Sequence, residues 1–594
     1  MHPTTTIIRA ATLCLVIGAV GAACSGGGGS ANPPSSSPPP QPPAPPPQVE
    51  PNRPPVLTLE NPDQLVLAGR PFSYDFSQSG KTFTDADGDQ LTYSVIWDRP
   101  PGGLSVSGSV VSGVPTEIGF FGMLVYADDG TESSETDFFR LDVQENSLPA
   151  LIHPNQTQIV PVGVSIYHEA TQGGSAFIDP DGDPISYEVS FASDTHGLAL
   201  EGTRVIGALN QIALVRVKVT ASDGYGGIAE DVFSIAAPGA EPGAPRLPAT
   251  SYAYADERLR LPFVFRISSE SQTPLWDTQP EHNRTTDAGA TLGRVLFYDK
   301  RLSITNTVAC SSCHHQEAGF AASERFSQGV LGVPMKRNTM SLANVRYNIH
   351  RAWFSDMRVE SLEELALQPI EAPEELGSPL DLVESKLRAT EFYAPLFQAA
   401  FGTSDVTRER IGLALAQFLQ ALLSYQTKFD RAYNPMTNVP PTPSAVLDAQ
   451  EMRGLDIFTG EGRGLCNMCH DLRGHAMIWQ ANNGLDEVPP DPGILNLALR
   501  RDGSVGLFRA AALRNIAVTG PYMHDGRFGT LREVIDHYDH GIKDSPNLDP
   551  LLRLNGSPVR LNLSEEDKDA LEAFLNTFTD HAFLDDPKFS DPFQ

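Results

Sequence analysis

Hydrophobic residues follow two different spacings along the chain. Between residues 55 and 237, short apolar runs such as VLTLE, LTYSVIW and FFRLDV are separated by turns rich in Gly, Pro and Asp. This pattern predicts β strands. From about residue 245, apolar side chains recur at helical spacing, and in IGLALAQFLQALL the residues Ile411, Leu415 and Leu419 fall on one stripe. The chain is therefore predicted to be multidomain, with an all-β part followed by a mostly α part.

Helix starts in the second part are marked by capping boxes, in which a Ser or Thr is followed three residues later by an acidic side chain. The pairs are Ser361 with Glu364, Thr530 with Glu533, and Ser564 with Asp567. Each pair predicts a helix that begins at the next residue.

The β part contains an internal repeat. DADGD at Asp85–Asp89 is matched by DPDGD at Asp179–Asp183, 94 residues later, and an Asp-Gly pair recurs at the same offset. The repeat predicts two sandwich domains, 55–146 and 147–237, that resemble immunoglobulin-like and cadherin-like modules. The aspartates favour tight turns, and calcium binding through their oxygens is the alternative. We expect both modules to act as spacers.

The first residues have the composition of a targeting segment and a tether. An apolar run over 10–22 leads to Cys24, so residues 1–24 are predicted to be a lipoprotein-type signal peptide, and simple cleavage near Ala23 is the alternative. Residues 25–54, rich in Gly, Ser and Pro, are predicted to be a linker. The protein is then exported, and is either periplasmic or anchored to the outer membrane by its lipid.

Net charge limits the class of partner. The chain of 594 residues carries 73 acidic and 43 basic side chains, a formal net charge of −30. An acidic protein is repelled by nucleic acid and by anionic lipid surfaces. We therefore expect no nucleic-acid partner, and membrane contact only through the N-terminal lipid.

The cysteines carry the chemistry. Of six, two lie at the N-terminus and four form the motifs CSSCH at Cys310–His314 and CNMCH at Cys466–His470. In a C-x-x-C-H motif the two thiols attach a c-type haem and the histidine binds its iron. A zinc site and a thioredoxin-like redox pair are the alternatives, but zinc needs four gathered ligands and the redox pair needs a βαβ context. Two covalently bound haem c groups are predicted.

The stretches LGRVLFYDKRLS, KRNTMSLANV, SLEELALQPIEAPEEL and LRNIAVTGPYMHDGRFGTLREVIDHY resemble the bacterial dihaem cytochrome c peroxidases, in order over residues 285–580. The resemblance implies a mostly α, two-lobed dihaem domain, with one lobe at 245–440 and the other at 441–594. It also implies that hydrogen peroxide is reduced to water, with electrons from a small donor protein such as a cytochrome c or a cupredoxin.

The resemblance also assigns roles to the two haems. The first, held by Cys310, Cys313 and His314, is the peroxidatic centre. The second is the haem that accepts electrons from the donor. It is held by Cys466, Cys469 and His470.

Further roles follow from the same resemblance. Glu375 matches the acid–base residue of the active site, a role that suits a carboxyl group able to move a proton between the two peroxide oxygens. A calcium ion between the lobes is implied, held by Asn338 and the carbonyl groups of Thr519 and Pro521.

Three positions of the first lobe depart from the family pattern. Val330 stands where many members have a histidine that caps the peroxidatic haem, so this iron is expected to be open at rest. Leu365 replaces a glutamine of the same pocket. Ser355 replaces the tryptophan that lies between the haems, and Trp353 stands two residues earlier.

In the second lobe, Tyr538 stands where the family has a methionine ligand, and we expect it to bind the second haem iron. Met523, His537 and His540 compete for that role. The tyrosine and the missing cap resemble the methylamine-utilisation branch, which oxidises a protein. Peroxide-driven oxidation of a protein or small molecule is therefore one alternative to peroxidase activity, and an electron-transfer cytochrome without turnover is another.

Overall fold

The computed structural model describes residues 51–255, 277–348, 351–432, 446–460, 466–470, 472, 480–494 and 505–594. The predicted signal peptide and nearly all of the predicted linker lie outside these residues. The chain forms two compact units: the first ends at Val143, and the second comprises Gln144–Gln594 with the short segment Leu67–Arg70. None of the described helices combines the length and the apolar character needed to cross a bilayer.

The first repeat is a β sandwich. Its strands are β1 Val56–Leu57, β2 Gln64–Leu67, β3 Phe72–Asp75, β4 Phe83–Thr84, β5 Thr92–Trp97, β6 Leu104–Ser107, β7 Val110–Gly113, β8 Gly119–Asp128 and β9 Asp137–Gln144. One sheet has the order β2-β9-β8-β5 and the other β3-β7-β6. Alternate residues of β8 and β9, among them Val125 and Phe139, point into the core between the sheets.

The second repeat has the same topology. Its strands are β10 Ala150–Leu151, β11 Gln158–Ile159, β12 Ser165–Glu169, β13 Phe177–Ile178, β14 Ser186–Phe191, β15 Leu198–Glu201, β16 Arg204–Ala208, β17 Ala213–Ser222 and β18 Ile228–Ala237. Its sheets have the orders β11-β18-β17-β14 and β12-β16-β15. The two predicted sandwiches are therefore present.

Polar contacts repeat at the same offset. The backbone N–H and the side-chain amide of Asn61 each donate to Asp137 at 2.8 Å, and Asn155 makes the same two bonds to Asp231 at 2.8 Å. In the DADGD loop, Asp85 accepts three backbone N–H groups, from residues 87, 88 and 89. The aspartates thus form the predicted tight turns.

The remainder of the second unit is mostly helical. Its helices are α1 Asp287–Tyr298, α2 Leu362–Glu371, α3 Leu380–Ala389, α4 Tyr393–Phe401, α5 Arg408–Ala421, α6 Lys428–Ala432, α7 Ala449–Thr459, α8 Leu531–Asp536, α9 Glu565–Asn576 and α10 His581–Leu584. Two short strand pairs accompany them: β19 Gln480–Ala481 with β20 Phe508–Arg509, and β21 Arg553–Leu554 with β22 Ser557–Pro558. The side chains of Ser361, Thr530 and Ser564 accept the backbone N–H groups that the capping boxes predicted.

Two hydrophobic cores divide this helical region into lobes. The first core is built on α1, α2 and α5, and the second on α7 and α9. The last residues of the chain return to the first core, where Phe583 and Phe589 are buried. They are held there by the hydroxyl group of Tyr298, which donates to the carbonyl of Phe589 at 2.7 Å.

Candidate functional site

The first C-x-x-C-H motif forms a tight turn. The backbone N–H groups of Cys313 and His314 both donate to the carbonyl of Cys310, at 3.2 and 3.0 Å. Nδ1 of His314 lies 2.8 Å from the carbonyl oxygen of Phe320, which can only accept, so Nδ1 carries the proton and Nε2 is the unprotonated nitrogen that could bind a metal. Burial lowers the pKa of His314 to about 4, which keeps the ring neutral, as a metal ligand must be.

The second motif repeats this geometry. The N–H groups of Cys469 and His470 donate to the carbonyl of Cys466, at 3.2 and 2.9 Å. Nδ1 of His470 donates to the carbonyl of Ala511 at 2.9 Å, and burial again lowers the pKa of the histidine. The four thiols of the two motifs form no disulfide, so they are available for thioether bonds.

A cavity of about 960 Å³ adjoins the first motif. Cys310, Cys313 and His314 lie on its wall. Apolar side chains from α1, α2 and α5 complete one side of it: Phe297, Leu365, Ala366, Leu415 and Leu419. Its volume is at the upper end of the roughly 300–1,000 Å³ found for small-molecule pockets, which suits a large, flat, mostly apolar group.

Buried donors in the cavity wall fit the acidic edge of a haem. Nε and Nη1 of Arg509 and Nε1 of Trp353 are buried and have no hydrogen-bond acceptor among the described residues. Burial lowers the pKa of Arg509 to about 10. Because a buried guanidinium without a counter-ion is costly, an anionic acceptor is expected to enter with the ligand. The propionates of a haem attached to Cys310 and Cys313 would supply it.

Glu375 lies on the wall of the same cavity, just beyond the end of α2. Its backbone N–H donates to the carbonyl of Ala372 at 2.9 Å, which turns the chain there. Burial raises the pKa of the Glu375 carboxyl group, and the Arg358 guanidinium partly opposes that rise. A carboxyl group with a raised pKa, on the same cavity wall as His314, is suited to proton transfer.

The three departures from the family pattern lie in different surroundings. Leu365 and Ser355 line the cavity, and the hydroxyl oxygen of Ser355 accepts from Arg337 at 3.2 Å. Of the described residues in this region, Gly329 lines the cavity but Val330 does not. Val330 packs instead in a separate apolar cluster. Its side chain is therefore turned away from the space where a capping histidine would act.

Tyr538 is half-buried and lies close to the second attachment motif. It lies in the π-helical turn His537–Gly541 that continues α8, a form often found at functional sites. Burial raises its pKa to about 12, with smaller contributions from Cys469 and Cys466. The hydroxyl group of Tyr538 and the sulfur of Met523 each lie 3.4 Å from the side-chain nitrogen of Asn483, so both face the same space.

The competing histidines are engaged elsewhere. Nε2 of His537 donates to the carbonyl of Asn483 at 3.0 Å. His540 has 63% of its side chain exposed and pairs with Asp539 at 3.0 Å. The geometry thus leaves Tyr538 and Met523 as the two candidates for the second haem iron.

The calcium residues predicted from the resemblance lie on two connected loops. The backbone N–H of Asn338 donates to the carbonyl of His524 at 2.7 Å, and His524 follows Pro521 in the loop that begins at Thr519. The side-chain amide of Asn338 donates to the carbonyls of Glu324 and Arg325, both at 3.2 Å.

Sequence reasoning did not single out two groups on the cavity wall. Arg509 falls in the stretch GLFRAAALRN, which has no motif that distinguishes a buried arginine from an exposed one. His524 stacks on Phe508, with ring centroids 3.9 Å apart and planes 12° apart. His524 belongs to the PYMHDG motif, one of the stretches that carry the family resemblance, and this was the one feature of the sequence that could have indicated its place near the site.

Comparisons with known proteins agree with this geometry. A family model described as di-haem cytochrome c peroxidase matches residues 287–438, and one described as a putative Ig domain matches residues 54–144. The chain is 32% identical to the methylamine utilization protein MauG of Methylorubrum extorquens, over 50% of this chain and 80% of that protein. It is 30% identical to the cytochrome c551 peroxidase of Nitrosomonas europaea, over 42% and 71%.

A solved structure described as a MauG-like protein associated with microbial copper homeostasis is 31% identical, with a TM-score of 0.46, over 53% of this chain and 96% of its own. The peroxidase of Nitrosomonas europaea and the MauG protein are both matched over more than two thirds of their length, at 30% identity or above. The chain therefore belongs to the dihaem cytochrome c peroxidase family, whose members are oxidoreductases with two c-type haems.

Proposed function

We propose that this peroxidase reduces hydrogen peroxide in the cavity beside His314, and that Glu375 moves the protons. The single observation that supports this assignment is the shared wall: Glu375, a half-buried carboxyl group with a raised pKa, lines the same cavity as His314. Peroxide takes up two electrons and two protons and yields two waters, so the site must both deliver and relocate protons.

When bound, the first haem supplies the iron at which peroxide is held and reduced. Glu375 as carboxylate takes the proton from the oxygen of peroxide nearest that position. It then gives the proton to the departing oxygen, which leaves as water instead of hydroxide. Arg509 and Trp353 would donate to the acidic edge of the bound haem, and the apolar residues of α2 and α5 limit access of bulk water.

Electrons are proposed to enter through the second haem from a small donor protein, a cytochrome c or a cupredoxin. The net charge of −30 supports a donor with a basic docking face, because opposite charges steer association. We also propose export, with haem attachment outside the cytoplasm and a lipid at Cys24. A calcium ion at Asn338 and the carbonyls of Thr519 and Pro521 belongs to the same proposal.

A second candidate function is peroxide-driven oxidation of a protein or small molecule. Two observations favour it: a tyrosine faces the second haem site, and Val330 leaves the first site without a capping group. The relative with 32% identity is a methylamine utilization protein. An electron-transfer cytochrome without turnover is a third candidate, and it requires both irons to be capped.

Spectra of the purified, fully oxidised holoenzyme separate these functions. We expect one high-spin and one low-spin haem, with immediate reaction of the high-spin haem when peroxide is added. Steady-state oxidation of a reduced cytochrome c by peroxide then indicates the first candidate. Two low-spin haems that ignore peroxide would contradict both enzymatic functions and favour the electron carrier.

A further inference from the structure

Strand β17 has an unexpected buried side chain. Residues Val215, Val217 and Val219 alternate along it and point into the core of the second sandwich. Leu214 and its cross-strand partner Ala236 have the opposite parity, so they point outward. They are nevertheless only 1% and 0% exposed. Something outside the sandwich covers this part of the sheet.

The first repeat shows the same position uncovered. Phe120 lies 94 residues before Leu214 and pairs with Asp142 across β8 and β9, as Leu214 pairs with Ala236. Phe120 is 68% exposed. The two repeats share a topology, so burial of Leu214 is a property of its surroundings in the second unit and not of the sandwich fold.

Residues of the first haem lobe cover Leu214. Leu214, Ala236 and Ile304 form one buried cluster, against which Val330, Leu331 and Leu382 pack. We call this set the sandwich contact. Ile304 lies six residues before Cys310, and Val330 lies beside Gly329 of the cavity wall. The second repeat is therefore packed on the lobe proposed to hold the peroxide site, a contact that its predicted role as a spacer does not require.

The sandwich contact reaches the main chain next to Glu375. Gly377 has a φ of +61°, and a Cβ atom there would lie 2.9 Å from Cδ2 of Leu214 and 3.0 Å from Cγ2 of Val330. Leu214 thus occupies the space directly against residue 377. A residue with a side chain would be strained there in conformation and crowded in space.

Hydrogen bonds extend this contact to the acid–base residue. The N–H of Val330 donates to the carbonyl of Glu375 at 2.8 Å, and the N–H of Ile304 donates to the carbonyl of Leu376 at 3.0 Å. At Gly329 a Cβ atom would overlap the carbonyl oxygen of Glu375. Two residues of the sandwich contact therefore hold consecutive peptide groups at the position of Glu375.

The chain that leaves the second sandwich strengthens the arrangement. Gly239, two residues past β18, donates its N–H to the carbonyl of Thr305 at 2.8 Å and accepts from the side chain of Asn306 at 3.3 Å. These residues belong to the same loop as Ile304. The sandwich is thus fixed to this loop by its covalent exit as well as by its outward face.

We propose that the second β sandwich is part of the active-site scaffold, and that Leu214 is a positioning residue that sets the placement of Glu375. This inference rests on the proposed function, since it concerns the group that moves the protons of peroxide. It goes beyond that function because it assigns a positioning role in the active site to a domain outside the two haem lobes.

The test uses the full-length holoenzyme with Leu214→Ala. We expect the second-order rate of peroxide reaction to fall about tenfold, because small misplacements of a catalytic group are costly. The acid limb of its pH profile should move to lower pH as Glu375 becomes better solvated. Arg358 and Glu374, the charged groups that act on Glu375, are unchanged in this variant. Haem content and the resting spectrum should match the parent.

Leu214→Met should keep the rate and the pH profile of the parent. If Leu214→Ala folds poorly, Leu214→Val replaces it in the test and should give a smaller shift in the same direction. Phe120→Ala, at the matching position of the first repeat, should have no effect. Val219→Ala, in the core of the second sandwich, should lower its unfolding temperature without moving the profile below that temperature.

Parent-like rate and profile in the folded Leu214 variants would overturn the inference, as would an equal shift in Val219→Ala. The proposed function fails separately: it is refuted if Glu375→Gln reacts at the parent rate. If Glu375→Gln is slow while Leu214→Ala behaves as the parent, the proposed function stands and the positioning role is lost.

Discussion

The two haem-binding motifs share their turn but differ in what lies across from it. The backbone N–H of each histidine donates to the carbonyl of the first cysteine of its motif, and its Nδ1–H donates to another main-chain carbonyl. Across from the first motif lies a cavity with the carboxyl group of Glu375; beside the second lie Tyr538 and Met523, both held near Asn483. The two motifs are thus alike in the groups that would hold a haem, and they differ in the groups around them, which is the basis of the proposed division into a reaction site and an electron-transfer site.

The largest expected effect is on the rate of the peroxide reaction when Glu375 is replaced. Glu375→Gln keeps the size of the side chain but removes its proton transfer, so the peroxide reaction should slow by about a hundredfold or more. Stopped-flow absorbance of the oxidised holoenzyme measures this rate. Glu371→Gln, on the exposed side of α2, is the matched control and should react at the parent rate.

The pH dependence of the peroxide reaction also tests the role of Glu375. Since burial raises the pKa of Glu375, its carboxyl group stays protonated at pH values where an ordinary glutamate is ionised. The protonated acid cannot take the peroxide proton, so the rate should fall as pH falls through that raised pKa. The rate constant is measured between pH 4 and 9. In the parent it should fall by on the order of tenfold along this acid limb, and in Glu375→Gln the limb should be absent. A limb that persists in the variant would assign it to another group.

Tyr538→Phe tests whether Tyr538 binds the iron of the second haem. Loss of the phenolic oxygen should turn the second haem high-spin or recruit Met523, with a visible spectral shift. Steady-state turnover with an external donor should fall by about tenfold, while the first reaction with peroxide is unchanged. Met523→Leu is the contrasting variant. If it loses the parent spectrum while Tyr538→Phe keeps it, methionine is the ligand.

A smaller effect is expected at Arg509. Arg509→Gln removes a buried positive charge that is proposed to face a propionate, so the ferric state of the first haem is favoured and its potential falls by about 30–60 mV. Spectroelectrochemical titration of the holoenzyme measures this shift. Arg408→Gln, on the surface at the start of α5, removes the same charge as a control. An unchanged potential in Arg509→Gln would place the propionates elsewhere.

Sequence patterns that involve residues close together in the chain, or a regular repeat, predicted several helices, both sandwiches and the two C-x-x-C-H turns. The capping boxes at Ser361 and Ser564 predicted their helices because an N-cap bond depends on residues only three apart. The offset of 94 residues predicted two sandwiches with equivalent contacts, such as the Asn61 and Asn155 pairs. The C-x-x-C-H turns likewise involve neighbouring peptide groups alone.

Features that depend on distant packing were not foretold. Alternation along β17 shows that Leu214 points outward, but not what covers it. The family resemblance placed Val330 at the capping position, yet its side chain packs in the sandwich contact. The capping box at Thr530 predicted a helix that continues to Tyr538, whereas α8 ends at Asp536 and Tyr538 lies in the π turn that follows. The burial of Leu214 and the placement of Val330 are both decided by neighbours remote in sequence.

The return of the chain end to the first lobe has a consequence for biosynthesis. The carbonyl of Phe320 orients His314, and the ring of Phe320 packs on Phe583 at 5.6 Å and on Phe589 at 6.4 Å. These two phenylalanines are made more than 260 residues after the CSSCH motif. While the polypeptide is still being synthesised, the wall behind the first histidine is incomplete. The wall that orients His314 is therefore completed only after Phe583 and Phe589 have been made and have packed on Phe320.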